Sequence, residues 1–272
     1  MSDLLELVRA TMTPLMVTPA GMTPKLPRLE GIRAVVFDLY GTLLISDAGG
    51  ERSGPEPDPE GLPGMGDLLG KTIALHHERR RAAGVAFPEV EIREVWAEAL
   101  AAGGFPVPMR EELERIILEH ECRVHPVWPM PGAGELLETL RARGLLLGII
   151  SNAQFYTLPV MEGLFGADLD ELGFHPDLRV FSFEEGEGKP SLRLFEKLRE
   201  KAAAFGIAAH EILYLGNDWK KDVAPANAVG FRTALFAGDA RSLRLGGVGE
   251  EEARESADAL VTGLEEVVGC LG

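Results

Sequence analysis

From Pro131-Gly132 onward the sequence repeats one pattern, a stretch with helical spacing followed by an apolar run only a few residues long. Helical stretches fall at 133–143, 155–165, 191–205 and 219–229, apolar runs at 145–150, 178–182, 212–215 and 232–236, and a final strand and helix at 259–270. Runs of that length, alternating with helices, make the strands of a parallel sheet covered on both faces. An earlier run, Ala34-Val35-Val36-Phe37, has the same character and stops at Asp38. Three helical patterns, at 68–83, 88–102 and 110–122, interrupt the alternation directly after that first strand.

The predicted organisation follows. An α/β core, a Rossmann-like doubly wound parallel sheet, takes residues 31–46 and 130–272, and a helical domain inserted in it takes 47–129. The Gly, Pro, Asp, Glu and Ser-rich stretch 46–66 reads as a flexible connection into the insert. Residues 1–30 form an N-terminal extension in which prolines at 14, 19, 24 and 27 prevent a continuous helix.

Composition removes several classes of function. Lys and Arg number 27 against 43 Asp and Glu, a net charge of −16, which argues against non-specific binding to nucleic acid or an anionic membrane. The two cysteines, Cys122 and Cys270, make neither a disulfide framework nor a CxxC metal motif, and both are expected to be inert. The first residues carry Asp3 and Glu6 and lack the basic region of a signal peptide, and no apolar stretch could cross a bilayer. A cytoplasmic location is expected.

Open parallel sheets bind ligands at the carboxyl ends of their strands. There the sequence places Asp38-Leu39-Tyr40-Gly41-Thr42-Leu43 after the first run, Ser151-Asn152 after the second, and Gly216-Asn217-Asp218 with Asp222 after the run at 212–215. Gly188-Lys189-Pro190 precedes the helix near 191. Taken singly, each has a bland reading: an aspartate after a strand is often a cap or an Asx-turn, and Ser151-Asn152 could be a cap. Lys189 is harder to dismiss, because a cation at the positive end of a helix calls for a nearby anion.

In this order the motifs resemble those of the haloacid dehalogenase (HAD) superfamily of hydrolases across about residues 32–270. "FDLYGTL" carries Asp38, "GIISN" carries Ser151, "GKP" carries Lys189, and "LGNDWKKD" carries the acidic fourth motif. The resemblance implies an aspartate nucleophile at Asp38, a hydroxyl at Ser151 and a lysine at Lys189 holding the transferring group, and a helical cap after the first motif that selects the substrate. Gly41, Thr42 and Asn152 join Ser151 and Lys189 as candidate substrate-binding residues. Metal ligands would be Asp38, the Tyr40 main-chain carbonyl, Asp218 and Asp222, with Asn217 as a neutral oxygen donor.

Charge supports a metal independently. Asp38, Asp218 and Asp222 against Lys189 leave the predicted edge at minus two, so an anionic substrate is repelled unless a cation precedes it. Mg²⁺ suits such an oxygen-lined site. The expected partner is therefore a small anionic molecule, a phosphate ester or an acyl phosphate, attacked by Asp38 to give an aspartyl-phosphate.

Two positions depart from the family pattern. Most phosphatase members have a second aspartate two residues after the nucleophile, where this chain has Tyr40, and many have aspartate where it has Asn217. Without that acid, leaving groups that need a proton should be poor. Tyr40 also resembles the first motif of metal-free 2-haloacid dehalogenases, in which Asp38 would displace halide from carbon. A third reading keeps the fold as a non-catalytic binding module. Among the remaining residues, His76, His77 and Arg79-Arg80-Arg81 read as a solvated basic face. Lys220 and Lys221 are expected to face water, and Trp96, His125 and Trp128 to be packing residues.

Overall fold

The computed structural model describes residues 2–46 and 57–272. Residues 47–56, and with them about half of the expected linker at 46–66, lie outside the described residues. In chain order, α1 (Ser2–Thr11) precedes β1 (Ala34–Phe37) and β2 (Leu44–Ile45). Then come α2 (Met65–Ala82), α3 (Ile92–Ala102), α4 (Arg110–Val124), β3 (Trp128–Pro129), α5 (Ala133–Ala142) and β4 (Leu146–Ser151). The remainder is α6 (Thr157–Phe165), β5 (Phe174–Phe181), α7 (Ser182–Glu185), α8 (Leu192–Ala203), β6 (Ile212–Gly216), α9 (Ala224–Ala228), β7 (Arg232–Phe236), α10 (Glu250–Ser256), β8 (Ala259–Val261) and α11 (Glu265–Cys270).

β1 is the hub of a six-stranded sheet in the order β5-β4-β1-β6-β7-β8, every pair parallel. Its four residues are all buried, and they alternate between faces as a strand must. Val35 and Phe37 join Leu147, Ile149, Leu213 and Leu215 in a cluster with Leu136 and Leu140 of α5 and Met161 of α6. Ala34 and Val36 face the other way, with Ile212 and Tyr214, onto Leu194, Phe195 and Leu198 of α8. The doubly wound core expected from the alternation is thus present. The chain passes from β1 to β4 and β5 on one side and returns to β6, β7 and β8 on the other. That reversal puts the topological switch at the carboxyl end of β1, where a ligand crevice belongs.

The helices between β2 and β3 make a core of their own. Met65 and Leu69 of α2, Val95, Trp96, Ala99 and Leu100 of α3 and Ile117 of α4 pack together, closed from the sheet side by Phe155. The segment leaves and re-enters the sheet layer through β2 and β3, an antiparallel pair with Leu44 opposite Pro129 and Ile45 opposite Trp128. Two-residue strands carry too little periodicity to be read from sequence. α3 starts at Ile92 and not at 88, because the Glu91 carboxylate accepts from the Arg93 amide and caps the helix there.

The N-terminal residues are part of the core. Val8 is fully buried and packs on α6, where a side chain on Gly163 would lie 2.7 Å from Val8 Cγ1. Beyond α1 the chain runs extended along the sheet edge, with Lys25 bridging Leu260 and Leu29 bridging Leu271. Its anchors, Val8, Met12, Met22 and Leu29, are spaced too irregularly to announce themselves.

Candidate active site

Asp38 extends β1 by one residue, its amide donating to Leu215 O at 2.9 Å, so its carboxylate emerges at the switch point. The carboxylate is nearly buried, and one oxygen, Oδ1, accepts from Ser151 Oγ at 2.8 Å and lies 2.9 Å from Lys189 Nζ. Ser151 is the last residue of β4, the strand beside β1, and this adjacency brings the two together. Burial pushes the Asp38 carboxyl up from its ordinary value to about 6, Asp222 adds to the rise, and Lys189 opposes it.

Lys189 is held from both ends. Asn152 Oδ1 accepts its amide at 2.7 Å and Asn152 Nδ2 donates to its carbonyl at 3.3 Å, so Asn152 clamps the Lys189 backbone. The Lys189 ammonium meets Asp222 Oδ1 at 2.6 Å and the Tyr214 hydroxyl at 3.2 Å, in addition to Asp38. Burial works against this charge, but Asp222 and Asp38 outweigh it and hold the ammonium above its ordinary value.

Asp222, expected as a metal ligand, is engaged within the protein. It is fully buried, Oδ1 takes Lys189 and the Tyr214 hydroxyl (3.0 Å), and Oδ2 takes the Asp218 amide at 2.9 Å. Both oxygens are occupied, so as placed it orders Lys189. The fit depends on Gly216, where a Cβ would fall 2.4 Å from Asp222 Cγ. It also depends on a wide π-type turn at Trp219–Val223, the kind of irregularity common at functional sites.

Asn217, which lines the cavity, and Thr42 bond to each other. Thr42 Oγ1 donates to Asn217 Oδ1 at 3.1 Å and Asn217 Nδ2 donates to Ser242 O at 2.7 Å, which commits both ends of the carboxamide. Thr42 is fully buried. Gly41 has φ +86°, and a Cβ there would sit 2.6 Å from Asn217 Nδ2, so the turn after Asp38 admits only glycine. Asp218 caps the π-turn, with Oδ1 accepting from the Lys221 amide at 2.9 Å. Burial raises its carboxyl and the Lys221 amide lowers it.

Asp38, Tyr40, Asn152, Lys189, Asn217, Asp218 and Asp222 line one cavity of about 140 Å³. Two further cations line it, Lys221 and Arg244. Lys221 therefore does not simply face water, and the charge of minus two read from sequence becomes zero. Arg244 lies in the loop after β7, which is zipped onto the fourth motif: the Arg244 amide donates to Asn217 O (3.0 Å) and the Trp219 amide to Arg244 O (2.7 Å). No spacing in the sequence joins residue 244 to residue 217.

Tyr40 stands between this cavity and a second one of about 190 Å³. Its hydroxyl is 2.8 Å from Thr157 Oγ1, and burial lifts the phenol above its ordinary value, which makes it a weak acid. The second cavity is lined by Glu89, Glu121 and His125 from the helical insert and its flanks, with Gln154 and Tyr156 opposite. Sequence reading passed over Glu89, Glu121 and Gln154, which belong to no motif, and gave His125 a packing role.

The basic face of α2 is remote from Asp38 in its contacts: His76 pairs with Glu98 at 2.7 Å and Arg79 with the same carboxylate at 3.4 Å. Cys122 and Cys270 are buried, with the Cys122 thiol pushed up to about 12 by burial. Both are poor nucleophiles. Among the described residues no helix is long and apolar enough to cross a membrane.

The arrangement can attack an electrophile through a carboxylate oxygen while a hydroxyl and an ammonium steady the group being transferred. Comparison with known proteins agrees with this chemistry. The family model of haloacid dehalogenase-like hydrolases matches residues 32–230. The chain is 36% identical over 176 residues to the phosphoserine phosphatase of Thermus thermophilus, a match covering 64% of this chain and 62% of that protein. It is 32% identical over 155 residues to the glyceraldehyde 3-phosphate phosphatase of Methanocaldococcus jannaschii, covering 56% and 60%. The chain thus spans less than two thirds of the length of these curated relatives. Among solved structures, a dehalogenase with intermediate complex superposes with a TM-score of 0.53 at 18% identity, over 89% of this chain and 98% of that one, a likeness of fold. On the family match, the ordered motifs and the shared architecture, the chain belongs to the haloacid dehalogenase-like hydrolases.

Proposed function

We propose that the chain is a Mg²⁺-dependent phosphohydrolase acting on small phosphorylated metabolites through Asp38. The observation that carries this reading is the convergence of Ser151 and Lys189 on one oxygen of Asp38. Oδ1 is saturated by those two donors, which leaves Oδ2 for attack or for an ion. Phosphatase relatives at 32–36% identity favour phosphoryl transfer over displacement of halide. So do the cations Lys189, Lys221 and Arg244 around a cavity of phosphate size.

The donor set suits Mg²⁺. Asp38 and Asp218 each have one oxygen engaged through Oδ1, and both line the cavity with Tyr40. Among the described residues no three His, Cys, Asp or Glu side chains cluster tightly enough to hold an ion by themselves. Two carboxylates, the Tyr40 carbonyl and water molecules make the incomplete, hydrated oxygen shell that Mg²⁺ accepts. Bound there, Mg²⁺ would supply charge neutralisation between the carboxylates and the phosphoryl oxygens.

In the reaction, an Asp38 oxygen forms a bond to phosphorus and the bond from phosphorus to the leaving oxygen breaks. The leaving group departs with that electron pair. Ser151 and Lys189 hold Asp38 in line, and Lys189 offsets charge as the phosphoryl group passes. Asp222 and Tyr214 keep the ammonium in place. Water then attacks phosphorus in the aspartyl-phosphate, the bond from phosphorus to the Asp38 oxygen breaks, the Asp38 carboxylate is restored and the water's proton leaves with the released inorganic phosphate. Helices α2–α4 act as a cap: Glu121 and His125 reach the second cavity beside Tyr40, where the leaving group would lie. Release of inorganic phosphate from para-nitrophenyl phosphate tests the reading. Turnover with Mg²⁺ should fall to background on chelation and in Asp38→Asn, and chelator-insensitive turnover would contradict it.

A further inference from the structure

Arg244 is the one arginine of the catalytic cavity among the described residues, and it is in a loop that carries none of the four motifs. Its position is built. The reciprocal backbone bonds to Asn217 and Trp219 fix its Cα against the fourth motif, and Nη1 donates to Arg241 O at 2.6 Å and Leu243 O at 3.0 Å. One nitrogen of the guanidinium is tied down, and the group makes no ion pair among the described residues. In a chain of net charge −16, this half-buried arginine has no carboxylate partner among the described residues and lines the cavity that holds Asp38.

Lys221 shares that wall. The adjacent Lys220 is exposed, whereas Lys221 is half-buried and its charge steadies Asp218. The balance then closes. Three carboxylates and three cations line the cavity, so one Mg²⁺ leaves it two positive charges in excess, the amount that a phosphate dianion neutralises. Ser151 ends β4, whereas Lys221 follows β6 and Arg244 follows β7, so the cations Lys221 and Arg244 reach the cavity from different chain segments than Ser151 and Lys189.

Resting on the phosphohydrolase reading, we propose that Arg244, assisted by Lys221, binds the non-bridging oxygens of the transferring phosphoryl group. A planar guanidinium already held by one nitrogen can present its remaining donors to two oxygens with little further loss of freedom. The ligand class is therefore the phosphate dianion itself, whatever leaving group it carries.

Inorganic phosphate is the probe, because it has no leaving group. Arg244→Ala should raise the inhibition constant of inorganic phosphate against para-nitrophenyl phosphate hydrolysis by about tenfold to a hundredfold, as for loss of a charged hydrogen bond. KM should rise by a similar factor. Lys221→Met, which removes no side-chain hydrogen bond or ion pair to the described residues, should shift both in the same direction by less. Mg²⁺ affinity, measured by calorimetry without phosphate, should stay the same or tighten in both variants, because a neighbouring cation is gone. A phosphate inhibition constant within twofold of wild type in Arg244→Ala overturns the proposal. So does weakened Mg²⁺ binding in that variant, since it assigns Arg244 a structural role in holding Asp218. Failure of the underlying reading looks different: wild type itself would then show no Mg²⁺-dependent turnover.

Discussion

At the scale of single residues, the site is a chain of buried charges that satisfy one another in sequence. Asp38 leans on Ser151 and Lys189, Lys189 on Asp222, and Asp222 on Tyr214 and the Asp218 amide. Removing the middle member strands two carboxylates. Lys189→Met should destabilise the metal-free protein by on the order of 3–5 kcal/mol in urea unfolding, and adding Asp222→Asn should recover part of that loss. Equal stability of Lys189→Met and wild type would show that the pairing is not what holds the carboxylates. Tyr40 gives a second prediction. With no carboxylic acid at position 40 and a phenol raised above its ordinary value, position 40 supplies no proton to the leaving group. Turnover should therefore climb steeply with leaving-group acidity, with acyl and aryl phosphates ahead of alkyl phosphates by about 10²–10⁴-fold. A flat dependence across a phosphate ester series would reveal an acid elsewhere.

Much of this was legible in the sequence. Asp38, Ser151 and Lys189 follow apolar runs or open a helix, and the rule that strand ends carry ligands selects them. Spacing of four residues puts Asp222 on one face with Asp218 and says nothing of Gly216, whose missing side chain lets Asp222 sink beneath the strand end onto Lys189. The bond between Thr42 and Asn217 was not legible for a related reason: residues 175 positions apart share no local signature.

At the scale of elements, strands and long helices were readable because periodicity is a local property. The β2–β3 ribbon, the π-turn and the strap of residues beyond α1 were not, since each is set by its packing partners. The junction of insert and core illustrates this. Glu89, ahead of α3, accepts from Ser182 Oγ at 2.8 Å, Gln154 Nε2 at 3.2 Å and its neighbour's amide at 2.9 Å, tying the insert to the ends of β4 and β5. Burial raises its carboxyl above the ordinary range despite those bonds. A raised folded-state value means that Glu89 is best tolerated when protonated. Its contribution is full below the ordinary carboxylate range and is lost as pH rises through the raised value. Glu89→Gln should accordingly gain stability relative to wild type as pH increases from 4.5 to 8, followed by urea unfolding. A difference that is constant with pH would contradict the assignment.

At the scale of the whole molecule, the sheet order decides where chemistry happens. Because β1 is central and the chain reverses direction of travel across it, the strand ends of β1, β4 and β6 meet at one crevice. The insert enters from the same end through β2 and β3 and lines the second cavity next to Tyr40. Net charge, which at first only excludes polyanionic partners, acquires a local meaning: the acidity is general, but the catalytic cavity gathers as many cations as carboxylates. The central claim is that this cavity transfers phosphoryl groups to Asp38, and its most direct test is to catch the intermediate. Enzyme mixed with Mg²⁺ and an excess of acetyl phosphate or para-nitrophenyl phosphate, quenched in acid within the first turnover and digested, should yield a phosphoryl group on the peptide containing Asp38 by mass spectrometry. Active enzyme that never carries phosphate on that peptide, or carries it on another residue, would contradict the account.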